Sequence, residues 1–170
     1  YKYEVATMGC RTRVFENVNG ERTSIGRGNL SFTTINFPRL AVESKNEILA
    51  ENTAIDAQAL EEKAVERFYE KIRYYTGFVA EQLKARYEFQ KTALAKQFPF
   101  MIRNDLWKGG ASLQPNDEIS EIINSGTLGI GFIGGHNAMK ALVGSGHGDS
   151  QKAYDILIKH LSSNKKNEYK

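Results

Sequence analysis

One cysteine, three prolines, one tryptophan and no long apolar run are the scarcities of this 170-residue chain. A single thiol excludes an internal disulfide and any multi-thiol metal site, and a reducing cytoplasm is its natural setting. No stretch approaches the roughly 20 apolar residues of a membrane-spanning helix, and no signal peptide opens the chain. Charge of one sign is lacking too: 23 Lys and Arg stand against 20 Asp and Glu, a net charge of +3. The cations are scattered except in the tail SSNKKNEYK, which reads as a solvated end rather than a nucleic-acid footprint. Neither a membrane nor a nucleic acid is an expected partner. There is no initiating Met, and the opening YKYEVAT alternates like a strand already under way. The chain therefore reads as a piece of a longer protein.

What is present is a globular composition, 41% apolar and 25% charged, with enough chain for one core. The spacing predicts a strand over 2–7, a tight turn over Met8 to Arg11, and a hairpin in RVFENVNGERTSI with Asn19-Gly20 at its tip. GRGN (26–29) reads as a glycine-opened turn, and the β-branched and aromatic LSFTTIN (30–36) as a buried strand. Pro38 suits the first turn of a helix running through Leu40 to Glu43. Leu60, Ala64, Phe68, Ile72, Tyr75, Val79, Leu83 and Tyr87 step by three or four, the stripe of a long helix from about Asn52 to Lys96. Gly77 marks a bend or break in it, and Pro99 closes it. Residues 98–116 read as a packed loop, 116–126 as a short helix capped by Asn116 or Asp117, and TLGIGFIG (127–134) as a buried strand. GHNAMKALVG and DSQKAYDILIKHL read as two closing helices. The order implies an α/β fold without repeats or an internal domain boundary.

Eight of the 15 glycines lie between 126 and 148. Gly129, Gly131 and Gly134 match G-x-G-x-x-G, but they sit inside the apolar run and no second strand with an acidic end follows about 20 residues on. A dinucleotide site is rejected; the glycines read as places where backbone or substrate approaches a strand closely. His136 and His147 are too few for a metal centre, which needs three or four ligands, and His160 near a helix end complements the helix dipole. Cys10 has the bland reading of a small buried hydrophobe. Against it, the thiol follows Gly9 at a turn tip, outside any apolar run, and Arg11 and Arg13 flank it. A nucleophile paired with His136 or His147 has no local support.

Taken in order, ATMGCRTRV, GRGN, INFPRLAVES and LGIGFIGGHNAMKALVGSGHG closely resemble the catalytic subunit of anaerobic (class III) ribonucleoside-triphosphate reductases, a glycyl-radical enzyme family. The resemblance covers nearly the whole chain and is weakest in the long helix and in 98–116. It implies an α/β segment of a ten-stranded barrel with a central cysteine-bearing finger loop, residues 1–170 forming one segment of that catalytic domain. By motif position Cys10 matches the cysteine that, as a transient thiyl radical, abstracts the ribose 3′ hydrogen. Asn29 matches an active-site asparagine that hydrogen-bonds the ribose hydroxyls, and Met8, Gly9 and Arg11 lie where the loop meets substrate. The two arginines then anchor the loop, since the resting sulfur is a neutral thiol.

The resemblance also implies what is not here. The radical-bearing glycine belongs to a C-terminal segment, the structural zinc to a cysteine-rich site elsewhere in the parent, and the ATP and dNTP effectors to a regulatory domain. GSGHGDS does not match the glycyl-radical motif, and Gly28 stands where some relatives carry a side chain. The implied partners are a ribonucleoside triphosphate, a radical-SAM activating enzyme, formate or a small redox protein as reductant, and a second copy in a homodimer. The fragment alone is expected to be inactive. Two other readings stand beside this one: a glycyl-radical enzyme of the same barrel acting on a small carboxylate or diol, and a non-catalytic interaction module with an incidental cysteine. The asparagine of GRGN discriminates against the first, because it suits a ribose.

Overall fold

A computed structural model describes residues 6–8, 12–14, 17 and 21–163. It is a mixed α/β structure, mostly helical, with two small two-stranded sheets. Two compact units divide it: residues 1–33 with 80–129, and residues 34–79 with 130–170.

In the first unit, β1 (Ala6–Met8) pairs antiparallel with β2 (Thr12–Val14), Ala6 opposite Val14 and Met8 opposite Thr12. Residues 21–26, in the second arm of the expected hairpin, form bends and turns. Asn19 and Gly20 lie outside the described residues. β3 (Gly28–Asn36) and β4 (Gly126–Ile133) form the second sheet. Thr127 meets Gly28 and Gly129 meets Phe32, so both strands run the same way. Parallel neighbours need a long crossover, and the chain between them supplies helices α1 (Phe37–Glu51) and α2 (Ala57–Lys91).

The expected short helix at 116–126 is absent. Ala95 donates to the Asp117 carbonyl at 2.9 Å and Ile119 to that of Ala93 at 3.0 Å, which holds this stretch extended. The Asp117 carboxylate accepts from the Gln114 amide at 2.7 Å, closing a turn instead of capping a helix. Only a 3₁₀ turn, Ile122–Ser125, remains. Pro99 does not close α2, which ends at Lys91; it opens α3 (Pro99–Arg103). Residues 98–116 do pack: Phe98 and Trp107 meet at 5.1 Å and flank a core of Ala95, Ile119, Ile122 and Ile123.

In the second unit, Asn36 caps α1 by accepting from the Arg39 amide at 3.2 Å, with Pro38 in the first turn as expected. The helix runs to Glu51, beyond Glu43, because Leu40, Ala41, Ser44 and Ile48 continue its buried face. That face lies on α4 (Gly135–Val143), where Ala41, Ser44 and Ala138 are fully buried and small enough for close helix packing. Ala64, Phe68 and Ile72 form the buried stripe of α2 in this unit. The helix passes Gly77 unbroken, so the expected break is not formed: one glycine costs about 1 kcal/mol, less than the buried stripe contributes. Gly144, at φ +77°, ends α4, and Ser150 caps α5 (Gln151–Ser163).

The strand at 126–133 forms as expected, but none of its residues is buried. Among the described residues β4 has one neighbour, β3, and Phe132 and Ile133 are 45% and 62% exposed.

Candidate active site

Of the residues singled out in the sequence, Asn29 is described in full. Gly9, Cys10 and Arg11 lie outside the described residues. Met8 ends β1, its backbone opposite Thr12.

Asn29 is the second residue of β3, exposed, just after the turn that GRGN was expected to form. The turn rests on Gly26, whose φ of +76° is the left-handed conformation that glycine adopts without strain. Residues 125–127 hold it in place. Ser125 Oγ donates to the Gly26 carbonyl at 3.0 Å, and Arg27 Nε donates to the Ser125 carbonyl at 3.1 Å. The Thr127 hydroxyl lies 3.1 Å from the Gly28 carbonyl and 2.7 Å from Asn29 Oδ1. Gly126 leaves room for the Leu30 side chain, which a Cβ there would overlap. Behind the strand, Arg86 donates to the buried Ser31 hydroxyl at 2.6 Å, tying β3 to α2.

Two concavities meet at Asn29. One, of about 450 Å³, is lined by Leu30, Phe89, Phe98, Trp107 and Ile119 among others. The other, of about 300 Å³, runs along Gly26, Arg27, Met101 and Ser125. Asn29, Leu30, Trp107 and Ile123 border both. The amide of Asn29 is a neutral donor and acceptor at an apolar wall, a combination that orients a hydroxylated ligand without titrating. Sequence reasoning missed Ser125 and Thr127. Gly126, the last residue of the short helix expected over 116–126, is extended at φ −76° and leaves room for the Leu30 side chain.

The two histidines weighed in the sequence come together in the second unit, ring centroids 5.7 Å apart, with His136 Nε2 3.7 Å from Asp149. Among the described residues no group of three or more His, Cys, Asp or Glu is placed to hold a metal ion. The clearest charge cluster there is also structural. Lys71 and Arg67 hold the Glu47 carboxyl below its ordinary pKa, Lys71 first, by hydrogen bonds that link α2 to α1. No helix among the described residues is long and apolar enough to cross a membrane.

Comparison with known proteins places this arrangement in a family. The sequence profile described as anaerobic ribonucleoside-triphosphate reductase matches residues 1–168. The chain belongs to that family. It is 32% identical over 145 residues to the anaerobic ribonucleoside-triphosphate reductase of Salmonella typhimurium strain LT2, covering 82% of this chain and 18% of that protein. The proteins of the same name from Escherichia coli K12 and Enterobacteria phage T4 are 30% and 31% identical over 144 residues, each over 82% of this chain. The chain spans about a fifth of the length of the curated relatives it matches.

Proposed function

We propose that this chain is part of the catalytic core of an anaerobic ribonucleoside-triphosphate reductase, with Cys10 as the hydrogen-abstracting residue and Asn29 as the residue that holds the ribose hydroxyls. The carrying observation is the family match over residues 1–168, which takes in both motifs at once. The clamp of 125–127 around GRGN supports it, because a group that orients vicinal hydroxyls has to be held still.

A glycyl radical on another segment of the parent supplies the oxidising equivalent. In this chain the Cys10 sulfur takes the hydrogen from C3′, forming S–H as the C–H bond breaks. The two bonds are close enough in strength for the hydrogen to return later. Asn29 holds the sugar hydroxyls while the 2′ oxygen leaves as water, and Met8, Gly9 and Arg11 bind the substrate. The apolar walls at Trp107 and Leu30 keep solvent from the reacting carbon. Formate or a small redox protein completes the reduction. The zinc, the effector sites, the activating radical-SAM enzyme and the homodimer contacts are assigned to the parent outside these residues, and the isolated chain is inactive. The barrel belongs to this proposal: an apolar strand such as β4, with one neighbour among the described residues, suits a place among further parallel strands.

The test is Asn29→Ala in the activated parent enzyme. The kcat/KM for a ribonucleoside triphosphate falls by about tenfold or more, as expected for losing a hydrogen bond made to the reacting sugar. An unchanged kcat/KM contradicts the proposal.

A further inference from the structure

The Thr127 hydroxyl carries one proton and stands near two acceptors, the Gly28 carbonyl at 3.1 Å and Asn29 Oδ1 at 2.7 Å. With Asn29 Oδ1 turned toward Thr127, the hydroxyl proton lies in the 2.7 Å contact. Asn29 Oδ1 is then engaged along the strand pair, and the amide NH2 is the end a bound ligand meets. A primary amide on an exposed strand residue otherwise turns freely about its last torsion, presenting donor and acceptor alternately. Thr127 comes from the start of β4, which pairs with β3. It is β-branched, so its own χ1 is restricted and the hydroxyl is held in place.

We infer that Thr127 is a positioning residue: it fixes the orientation of the Asn29 amide so that the NH2 group faces the hydroxylated ligand as a donor. This rests on the reading of Asn29 given above. Thr127 does not touch the ligand; it selects which end of Asn29 does. A threonine freed of this duty would serve only to join β4 to the Gly28 backbone, and the same chemistry then predicts no link between residue 127 and hydroxyl recognition.

The experiment is a double-mutant cycle in the full-length parent, read as ribonucleoside triphosphate affinity. Thr127→Val keeps the branched shape and removes the hydroxyl. Affinity falls by about tenfold. The preference for the ribonucleotide over its 2′-deoxy counterpart falls with it, while Thr127→Ser restores both to within about twofold. In an Asn29→Ala background Thr127→Val has no further effect on affinity. If Thr127→Val lowers affinity equally for ribo- and deoxynucleotides, or by the same factor with Asn29 absent, its role is the backbone contact alone and the inference is overturned. If Thr127→Val leaves affinity unchanged while Asn29→Ala lowers it, the inference fails and the reading of Asn29 stands. If Asn29→Ala changes nothing, the reading of Asn29 fails and takes the inference with it.

Discussion

A Cβ on Gly126 would fall within the side chain of Leu30. The Leu30 side chain, next to Asn29 on β3, fills the space that a side chain at residue 126, next to Thr127 on β4, would take. The Gly126 backbone is extended, so alanine would fit the torsions, and relief of unfolded-chain entropy alone would favour Gly126→Ala by about 0.4–1 kcal/mol. Overpacking against Leu30 costs more, about 1–3 kcal/mol. Gly126→Ala is therefore expected to lower stability by about 1–2 kcal/mol in urea unfolding. Adding Leu30→Ala should make the double variant lose clearly less than the sum of the two.

Gly134 carries a stronger constraint. Its φ is +74°, and a Cβ there would lie 2.7 Å from Pro38 Cδ in a ring that cannot rotate away. Gly134→Ala combines left-handed strain with a clash and is expected to cost about 2 kcal/mol or more. Gly144→Ala, equally left-handed but in open space, should cost distinctly less. Equal losses in thermal unfolding would show that the Pro38 contact does not matter.

Phe37 is the aromatic centre of the second unit. It is 2% exposed, stacks on Phe132 at 4.6 Å and meets Phe68 edge-on at 5.5 Å. Phe37→Ala removes both contacts from a closed site and is expected to cost about 3–5 kcal/mol. Phe132→Ala, at a residue 45% exposed, should cost less than half as much. Denaturation midpoints of the two variants check the order.

Glu47 gives the pH prediction. Lys71 and then Arg67 lower its pKa in the folded state. Its pairing therefore stabilises the fold above the ordinary carboxylate range and is lost as pH falls through the lowered value. The Glu47 side chain is 42% exposed, so solvent screening limits the gain to under about 1 kcal/mol. Glu47→Gln should lose that small increment at neutral pH, none at acid pH, and less in roughly 1 M salt. A loss independent of pH would assign Glu47 a packing role instead.

Local signals carried much of the fold. Pro38 announces a helix start because its fixed φ suits a first turn, and the stripe from Leu60 to Tyr87 announces α2 because its period is that of the helix itself. Where local chemistry had a competitor in space, the reading failed. Asp117 has the makings of a helix cap, but the backbone around it is bonded to Ala93 and Ala95. Leu128, Ile130 and Phe132 are apolar, and only burial by further chain would make them core.

The candidate site was legible in the same uneven way. Asn29 was found through its motif. Its clamp was not: Thr127 lies 98 positions from Asn29, and Ser125 lies 99 from Gly26. Serine and threonine beside a glycine carry no pattern that points across such a distance. Only the parallel pairing of β3 with β4, set by the helices between them, brings the two stretches together.

The most direct test of the account replaces the sulfur. In the full-length parent, activated so that the glycyl radical forms, Cys10→Ser is made and deoxyribonucleotide formation is measured alongside the radical signal. A serine O–H is too strong a bond for reversible hydrogen transfer, so the account predicts an intact radical signal with no deoxyribonucleotide formed. Turnover that survives Cys10→Ser would contradict it.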